Sequence, residues 1–332
     1  MTLSYQGFGH NRDTVVMNNN QVLIGEIKSM EYGILTVETD YSDSDFTVEW
    51  DKVKGLKTSS SFIIILTTKY RLKGTISHDM YNSEYLIITP VEGSKLFARI
   101  KDIVYLKSSE NRFWDRISAS VDGGYTITKS SNTNQLTING NASYVSTKLQ
   151  CEFYLSFLDS RVSDSTSSII TVRNNHGTNW RVFFNKSWFV LGATDFLQSD
   201  EQNLKIRTTL QLGMGKILLR NHQMYLNTAI GLASNTEKFQ TDQEDDESLE
   251  SFLQIDFNGF GFKDVDISSK FQLFPSLSKS KRLRYNYTFN IKYDLPLDLY
   301  LGVNLTLNYD NQPGEDISKY DYVFQSVFGW SF

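Results

Sequence analysis

Four histidines (His10, His78, His176 and His222) and one cysteine, Cys151, are the side chains best suited to ligate a metal or to move a proton. No two of them stand at the spacing of a zinc site, so no metal centre is expected. A hydrolase needs Ser or Asp near His, and the one set that qualifies is His176 with Ser168 and Asp164 upstream. The plainer reading of His176 is a polar residue on a strand. Asp242-Gln-Glu-Asp-Asp-Glu247 has the charge to hold a divalent cation but lacks the Asp-x-Asp-x-Asp-Gly order of a calcium loop. A solvated acidic loop is therefore expected. Cys151 falls in register with Leu149, Phe153, Leu155 and Phe157, an apolar face on which a thiol is an inert small hydrophobe. No catalytic residue, cofactor or metal is expected, and the chain reads as non-enzymatic.

The chain has 332 residues, 22 Phe and 18 Tyr but only four Pro, and a slightly negative mean hydropathy. Abundant aromatics without net hydrophobicity suit apolar residues that alternate with polar ones, because alternation cancels in any average. A net charge of −5 has the wrong sign for nucleic acid. The longest aliphatic run, Phe62 to Leu66, is far shorter than the ~18 residues a spanning helix needs. The first residues, MTLSYQGFGHNRD, have neither a basic start nor an apolar stretch. For an exported protein, the expectation is that a signal has been removed.

From Asp13 to Leu106 the chain repeats itself. Val22-Leu-Ile-Gly-Glu-Ile27 answers Tyr70-Arg-Leu-Lys-Gly-Thr-Ile76, with Gly25 matching Gly74. Phe46, Val48, Trp50, Val53 and Leu56 fall fifty residues before Leu96, Ala98, Ile100, Ile103 and Leu106. Each half reads as short alternating strands closing on a 3₁₀ turn or short final strand. This predicts a flexible stretch over 1–12 and a tandem SH3-like or Sm-like β domain over 13–106. The domain reads as a periplasmic interaction module, or alternatively as a spacer. Residues 107–113 read as a polar linker.

From Trp114 onward period-2 alternation dominates. Leu204, Ile206, Thr208, Leu210, Leu212 and Met214 share one face of a segment whose other face is polar. Leu283 to Tyr293 and Leu299 to Tyr309 repeat the pattern. Segments of ten to fourteen residues exceed the usual soluble strand and approach the ~9–11 residues a bilayer requires. Tight connections (near 146–148, 185–187, 220–222, 258–261 and 294–296) alternate with long ones (near 129–134, 159–167, 198–202, 237–247, 275–281 and 310–319). Aromatics gather near segment ends, as in interfacial girdles. The prediction is an all-β chain with a twelve-stranded antiparallel transmembrane barrel over 114–332. Inside it, Lys205, Arg207, Arg282 and Arg284 should lie with Glu250 toward one end. Asp256, Asp264, Asp266 and Asp298 should face Lys292 toward the other.

The last eleven residues, Tyr322-Val-Phe-Gln-Ser-Val-Phe-Gly-Trp-Ser-Phe332, resemble the C-terminal strand of bacterial outer-membrane proteins, which the assembly machinery reads. Phe324, Phe328, Trp330 and Phe332 share a face there. Residues 114–332 also resemble the salt-induced outer-membrane protein family (domain of unknown function 481). Trp188-Phe189 opening a strand, Asn203 opening the next, Gly213-Met214-Gly215 and Gly231 carry that resemblance. It implies a Gram-negative outer-membrane address with lipid and lipopolysaccharide as surroundings. A periplasmic or membrane protein partner would dock on residues 13–106. The family has no established catalytic residues to carry over. Two function classes stand: a structural or accessory barrel, and a narrow passive channel, with an outer-membrane hydrolase behind both.

Overall fold

The structure is a computed structural model. It describes residues 12–78, 85–109, 116–128, 133–163, 168–240, 244–260, 262, 264–296, 299–313 and 318–330. It divides into two compact units, one reaching to Arg116 with Arg220–Gln223, the other comprising Ile117–Leu219 and Met224–Phe332.

The first unit is built twice over. Its first half runs β1 (Asp13–Met17), β2 (Val22–Glu31), β3 (Ile34–Glu38), β4 (Phe46–Glu49), a 3₁₀ turn (Trp50–Lys52) and β5 (Val53–Lys57). Its second half runs β6 (Phe62–Leu66), β7 (Arg71–His78), β8 (Tyr85–Pro90), β9 (Leu96–Arg99), a 3₁₀ turn (Ile100–Asp102) and β10 (Ile103–Ser108). The pairings repeat as well: β1 lies between β2 and β5 as β6 lies between β7 and β10. In each half the next strands follow in a meander, β2-β3-β4 and β7-β8-β9. The halves interlock where Met30 of β2 pairs with Leu106 of β10. On the other side, the Thr58 amide after β5 donates to the Ile76 carbonyl of β7 at 2.8 Å.

Gly25 and Gly74 hold equivalent places, since a Cβ on either would strike a backbone carbonyl, that of Glu38 or that of Thr89. One shared core, including Ile27, Leu35, Trp50, Phe62, Ile64 and Ile88, fills both halves. Trp50 ties them directly, its indole N–H donating to the Ile100 carbonyl at 3.1 Å. Strand β10 runs to Ser108, so the expected linker starts inside a strand.

The second unit is one antiparallel sheet of twelve strands in chain order. They are β11 (Ile117–Thr128), β12 (Thr133–Val145), β13 (Leu149–Ser163), β14 (Ser168–Phe183), β15 (Trp188–Ser199), β16 (Leu204–Arg220), β17 (Met224–Phe239), β18 (Asp246–Gly259), β19 (Val265–Pro275), β20 (Leu283–Asp294), β21 (Leu299–Asp310) and β22 (Tyr320–Trp330). The expected contrast of loop lengths holds only in the second half. Strands lengthen to as many as 17 residues, so the connections 164–167 and 200–203 are as short as 184–187 on the opposite end. The connections 240–245, 276–282 and 311–319 keep the longer form. These mark the long-loop end, and the turns 146–148, 184–187 and 221–223 mark the short-turn end.

The sheet curls. Arg181 of β14 reaches Asp256 of β18 at 3.3 Å, and Gln272 of β19 reaches Gln211 of β16 at 3.4 Å. Strands that are not ladder neighbours exchange side-chain bonds only if one face is concave. The two faces invert the order of a water-soluble sheet. Leu212 on the convex face is 66% exposed, while Arg284 and Glu250 on the concave face are 2% and 0% exposed.

Candidate functional site

Alternation decides which residues enter the concave face. In β16 the odd positions Arg207, Thr209 and Gln211 are buried, while Leu210, Leu212 and Met214 point outward. Arg284 of β20 and Arg282 just before the strand are buried and lie two residues apart. Packed opposite charges need partners on several sides, because a lone buried ion costs several kcal/mol. Arg282 finds three. Its Nη2 donates to Glu237 Oε1 at 3.0 Å and to Asp310 Oδ2 at 2.6 Å, and its Nη1 donates to Asp246 at 2.8 Å. Arg207 Nε donates to the same Glu237 at 2.9 Å. Arg284 grips Glu250 with two parallel bonds of 2.9 and 2.7 Å, the fork geometry that makes such pairs strong. The Arg284 guanidinium also sits 5.1 Å from the Phe274 ring centroid.

This cluster stands at the long-loop end and joins β16, β17, β18, β20 and β21. Lys279, in the connection 276–282, pairs with Asp246. Beside it, Arg173 of β14 pairs with Asp321 of β22, and Gln202 donates to the same carboxylate. Burial pushes the Glu201 carboxyl above its usual range, and its hydrogen bond with Asp321 adds to that shift.

Below the charges lies a layer of amides. Gln272 Nε2 donates to Gln254 at 2.9 Å, and Asn235 donates to Glu237 at 2.9 Å. Toward the short-turn end, Arg181 bridges Glu152 and Asp256, both at 3.3 Å. There the concave face turns apolar with Phe183, Phe189, Leu191 and Ile217, and the apolar cluster runs on through Phe252 to Phe274 beside Arg284. Clefts lie beside Arg207 and Asp321 and beside Tyr154, Asp195 and Lys270. On β20 and β21 the concave face is half-buried and uncharged over Asn286, Thr288, Asn290, Asn304 and Thr306.

The structure thus brings Arg207, Arg282 and Arg284 together with Glu250. Lys205 is exposed and stays apart. The ladder shifts between Leu197 and Ser199, where β15 meets the start of β16, and this carries Lys205 off the strict alternation. Asp256 pairs with Arg181, while Lys292 pairs with its own-strand neighbour Asp294 at 2.8 Å. Asp266 stands opposite Lys292 in the ladder. Asp264 is exposed in the connection before β19, and its carbonyl accepts from the Asp294 amide. Asp298 lies outside the described residues.

On β22, Tyr320, Tyr322, Phe324 and Phe328 lie on the convex face. Trp330 ends the strand opposite Leu299, its side chain and Phe332 being outside the described residues.

Chemistry gains no support from the remaining candidates. His176 alternates with inward-facing Gly177 and stacks on Phe196 at 5.1 Å. Ser168 opens the same strand eight residues earlier, roughly 27 Å away at strand rise, and Asp164 lies outside the described residues. Cys151 is half-buried, and its thiol is a free one. Among the described residues no group of three or more His, Cys, Asp or Glu is placed to hold a metal; Gln243 and its neighbours 241–242 in the acidic loop are not described.

Residues 121–332 match the model of a family described as "Protein of unknown function, DUF481". No curated protein matches the chain. Among solved structures, the chain is similar to BamA from Haemophilus ducreyi lacking POTRA domains 1-3. That likeness is 9% identical, covers 91% of this chain and 75% of that one, and has a TM-score of 0.26.

Proposed function

The chain belongs to the DUF481 family of proteins of unknown function, and on that premise we propose that it is a non-enzymatic outer-membrane β-barrel serving as a structural or accessory component of the envelope. One observation carries the location: the inverted sheet, with Leu210, Leu212, Met214, Ile230, Leu232 and Phe324 exposed outside and Arg207, Glu237, Glu250, Arg282 and Arg284 buried inside. In water such a sheet exposes a large apolar area with nothing to cover it. In a bilayer it is the stable arrangement, because lipid takes the apolar face and the enclosed charges pair with one another. Tyr285, Tyr309 and Tyr320 form a row across β20–β22 with centroids 4.8 Å apart, the first pair stacked and the second tilted. Such a row suits one membrane interface.

An accessory role is favoured over a channel because charge pairing and aromatic packing fill the concave side between β14 and β20. A selectivity pore instead aligns charges of one sign. In this reading residues 13–106 form a periplasmic pair of SH3-like halves, a reading supported by the doubled five-strand pairing. The surroundings are lipid and lipopolysaccharide, and the final strand is the handle for the assembly machinery. Purified full-length protein in planar bilayers tests the function. Little or no steady conductance is expected. A reproducible open channel whose ion selectivity reverses with Arg282→Glu plus Arg284→Glu would establish the channel instead. Recovery in the inner membrane or the soluble fraction would remove the location.

A further inference from the structure

The main path of the ten-stranded sheet ends on β4 and β9, equivalent strands of the two halves, with β1 and β5 branching off it at β2. Each has four residues and precedes a 3₁₀ turn. An unpaired edge is a template for another strand, and proteins ordinarily guard it with charge. Guarding works by repulsion, so both edges should then carry the same sign. Here they do not.

Around β4, residues 40–52 hold Asp40, Asp43, Asp45, Glu49 and Asp51 against one lysine. Around β9, residues 92–102 hold Lys95, Arg99 and Lys101 against two acids. The inversion reaches single positions. Glu49 pairs with Lys52 at 3.3 Å, and the equivalent Arg99 pairs with Asp102 at 3.1 Å. The two halves carry the same local ion pair with its signs exchanged. Glu49 and Arg99 are 64% and 46% exposed in their side chains, so both are open to a new partner. Apolar area flanks the charges: Phe46 and Tyr41 beside β4, and Phe97 beside β9, are all exposed.

We propose that β4 of one chain pairs with β9 of a second copy, extending the sheet from protomer to protomer. Opposite charges steer the two edges together and disfavour β4–β4 and β9–β9 contacts. Main-chain hydrogen bonds then supply affinity, as in strand addition generally. The contact is head-to-tail, so it closes into a two-fold pair if both edges engage one partner, or runs on as a row if they do not.

Cross-linking of full-length protein in native membranes tests this. The background is Cys151→Ser, with Thr47→Cys on one chain and Phe97→Cys on a co-expressed second chain. A short bis-maleimide should join the two kinds of chain and not two of the same kind. Glu49→Arg alone, or Arg99→Glu alone, should lower the cross-linked fraction roughly tenfold through like-charge juxtaposition. Both exchanges in every chain should restore it, which separates lost complementarity from lost folding. Absence of the mixed cross-link, or a mixed cross-link indifferent to both single reversals, overturns the proposal. Pairing that survives only between like edges overturns it too.

Discussion

Arg282 meets three carboxylates while its side chain is 1% exposed. Replacing it with Met leaves Glu237 and Asp310 buried beside each other without their main counter-charge. That loss should cost about 3–5 kcal/mol, read as a lower temperature for the heat-modifiable shift on gels. Arg282→Lys should recover only part, since an ammonium has no fork to divide among three acceptors. An unchanged shift temperature in Arg282→Met would show that the cluster contributes nothing to the stability of the sheet.

Asp13, in the other unit, gives a pH test. It is buried, and its carboxylate accepts from the Ile27 amide at 2.9 Å and the Ser59 amide at 2.8 Å. Burial raises its pKa above 3.8 in spite of those bonds. The folded state therefore holds the proton more tightly than the unfolded one, and Asp13 adds stability on the acid side that is lost as pH rises through its raised pKa. Relative to Asp13→Asn, the wild type should gain as pH falls through about 4 and below. Urea midpoints of both proteins across that range measure it, and parallel curves would count against it.

Arg282 and Arg284 were legible as inward residues because alternation alone assigns a face. Glu250, the partner of Arg284, is placed with them by the same pattern, but the carboxylates that meet Arg282 are not, since period 2 says nothing of which strand lies across a curled sheet. Glu237 and Asp310 stand where the sequence pattern starts a loop, so alternation assigns neither to the inward face.

At the level of elements, face assignment is what the sequence pattern determines best, and it has a direct consequence. Leu301 of β21 lies on the convex face, opposite Tyr293 and Phe328. Leu301→Arg should cost ~2–4 kcal/mol if that position lies near the bilayer midplane. Gly302→Arg, one residue on and facing inward, serves as the contrast in side-chain direction. The heat-modifiable shift and the folded fraction in outer membranes report the cost. Equal tolerance of Leu301→Arg and wild type would mean that the convex face does not meet lipid.

All twelve strands were legible, but not their ends. Asp159 to Ser163 carries Asp, Arg and two Ser and reads as loop, yet it continues β13 as a paired strand. Polar residues extend a strand without cost where water lies on both sides. Hydropathy therefore marks where the apolar face ends and not where the hydrogen-bonded ladder ends. The doubled strand order of the first unit was legible for the opposite reason. Gly25 and Gly74 are fixed by backbone collision, and Trp50 and Ile100 by a shared contact, so all four stand out in the sequence at matching places.

On the scale of the whole chain, two kinds of stability are joined in one polypeptide. The first unit is held by burial from water, with Phe62, Ile64, Leu35 and Ile27 wholly enclosed in one core. Urea weakens that driving force by solvating apolar and peptide groups alike. The second unit is held by a continuous ladder from β11 to β22, and in detergent or lipid its apolar face stays covered whether or not urea is present. The two should therefore unfold separately, the first unit at lower urea. Tryptophans allow them to be told apart. Trp50 is buried in the first unit, while Trp180 and Trp188 are exposed on the convex face of the second. Fluorescence of the full-length protein in lauryldimethylamine oxide should show an early transition that Trp50→Phe removes. Resistance of the second unit to denaturation on cold gels should persist beyond that transition. If the early transition survives Trp50→Phe, or if fluorescence and gel resistance are lost together at one urea concentration, the units are not independent. The stability of the second unit would then depend on the first, and mutations in the shared core of β1–β10 would weaken the sheet around Arg282.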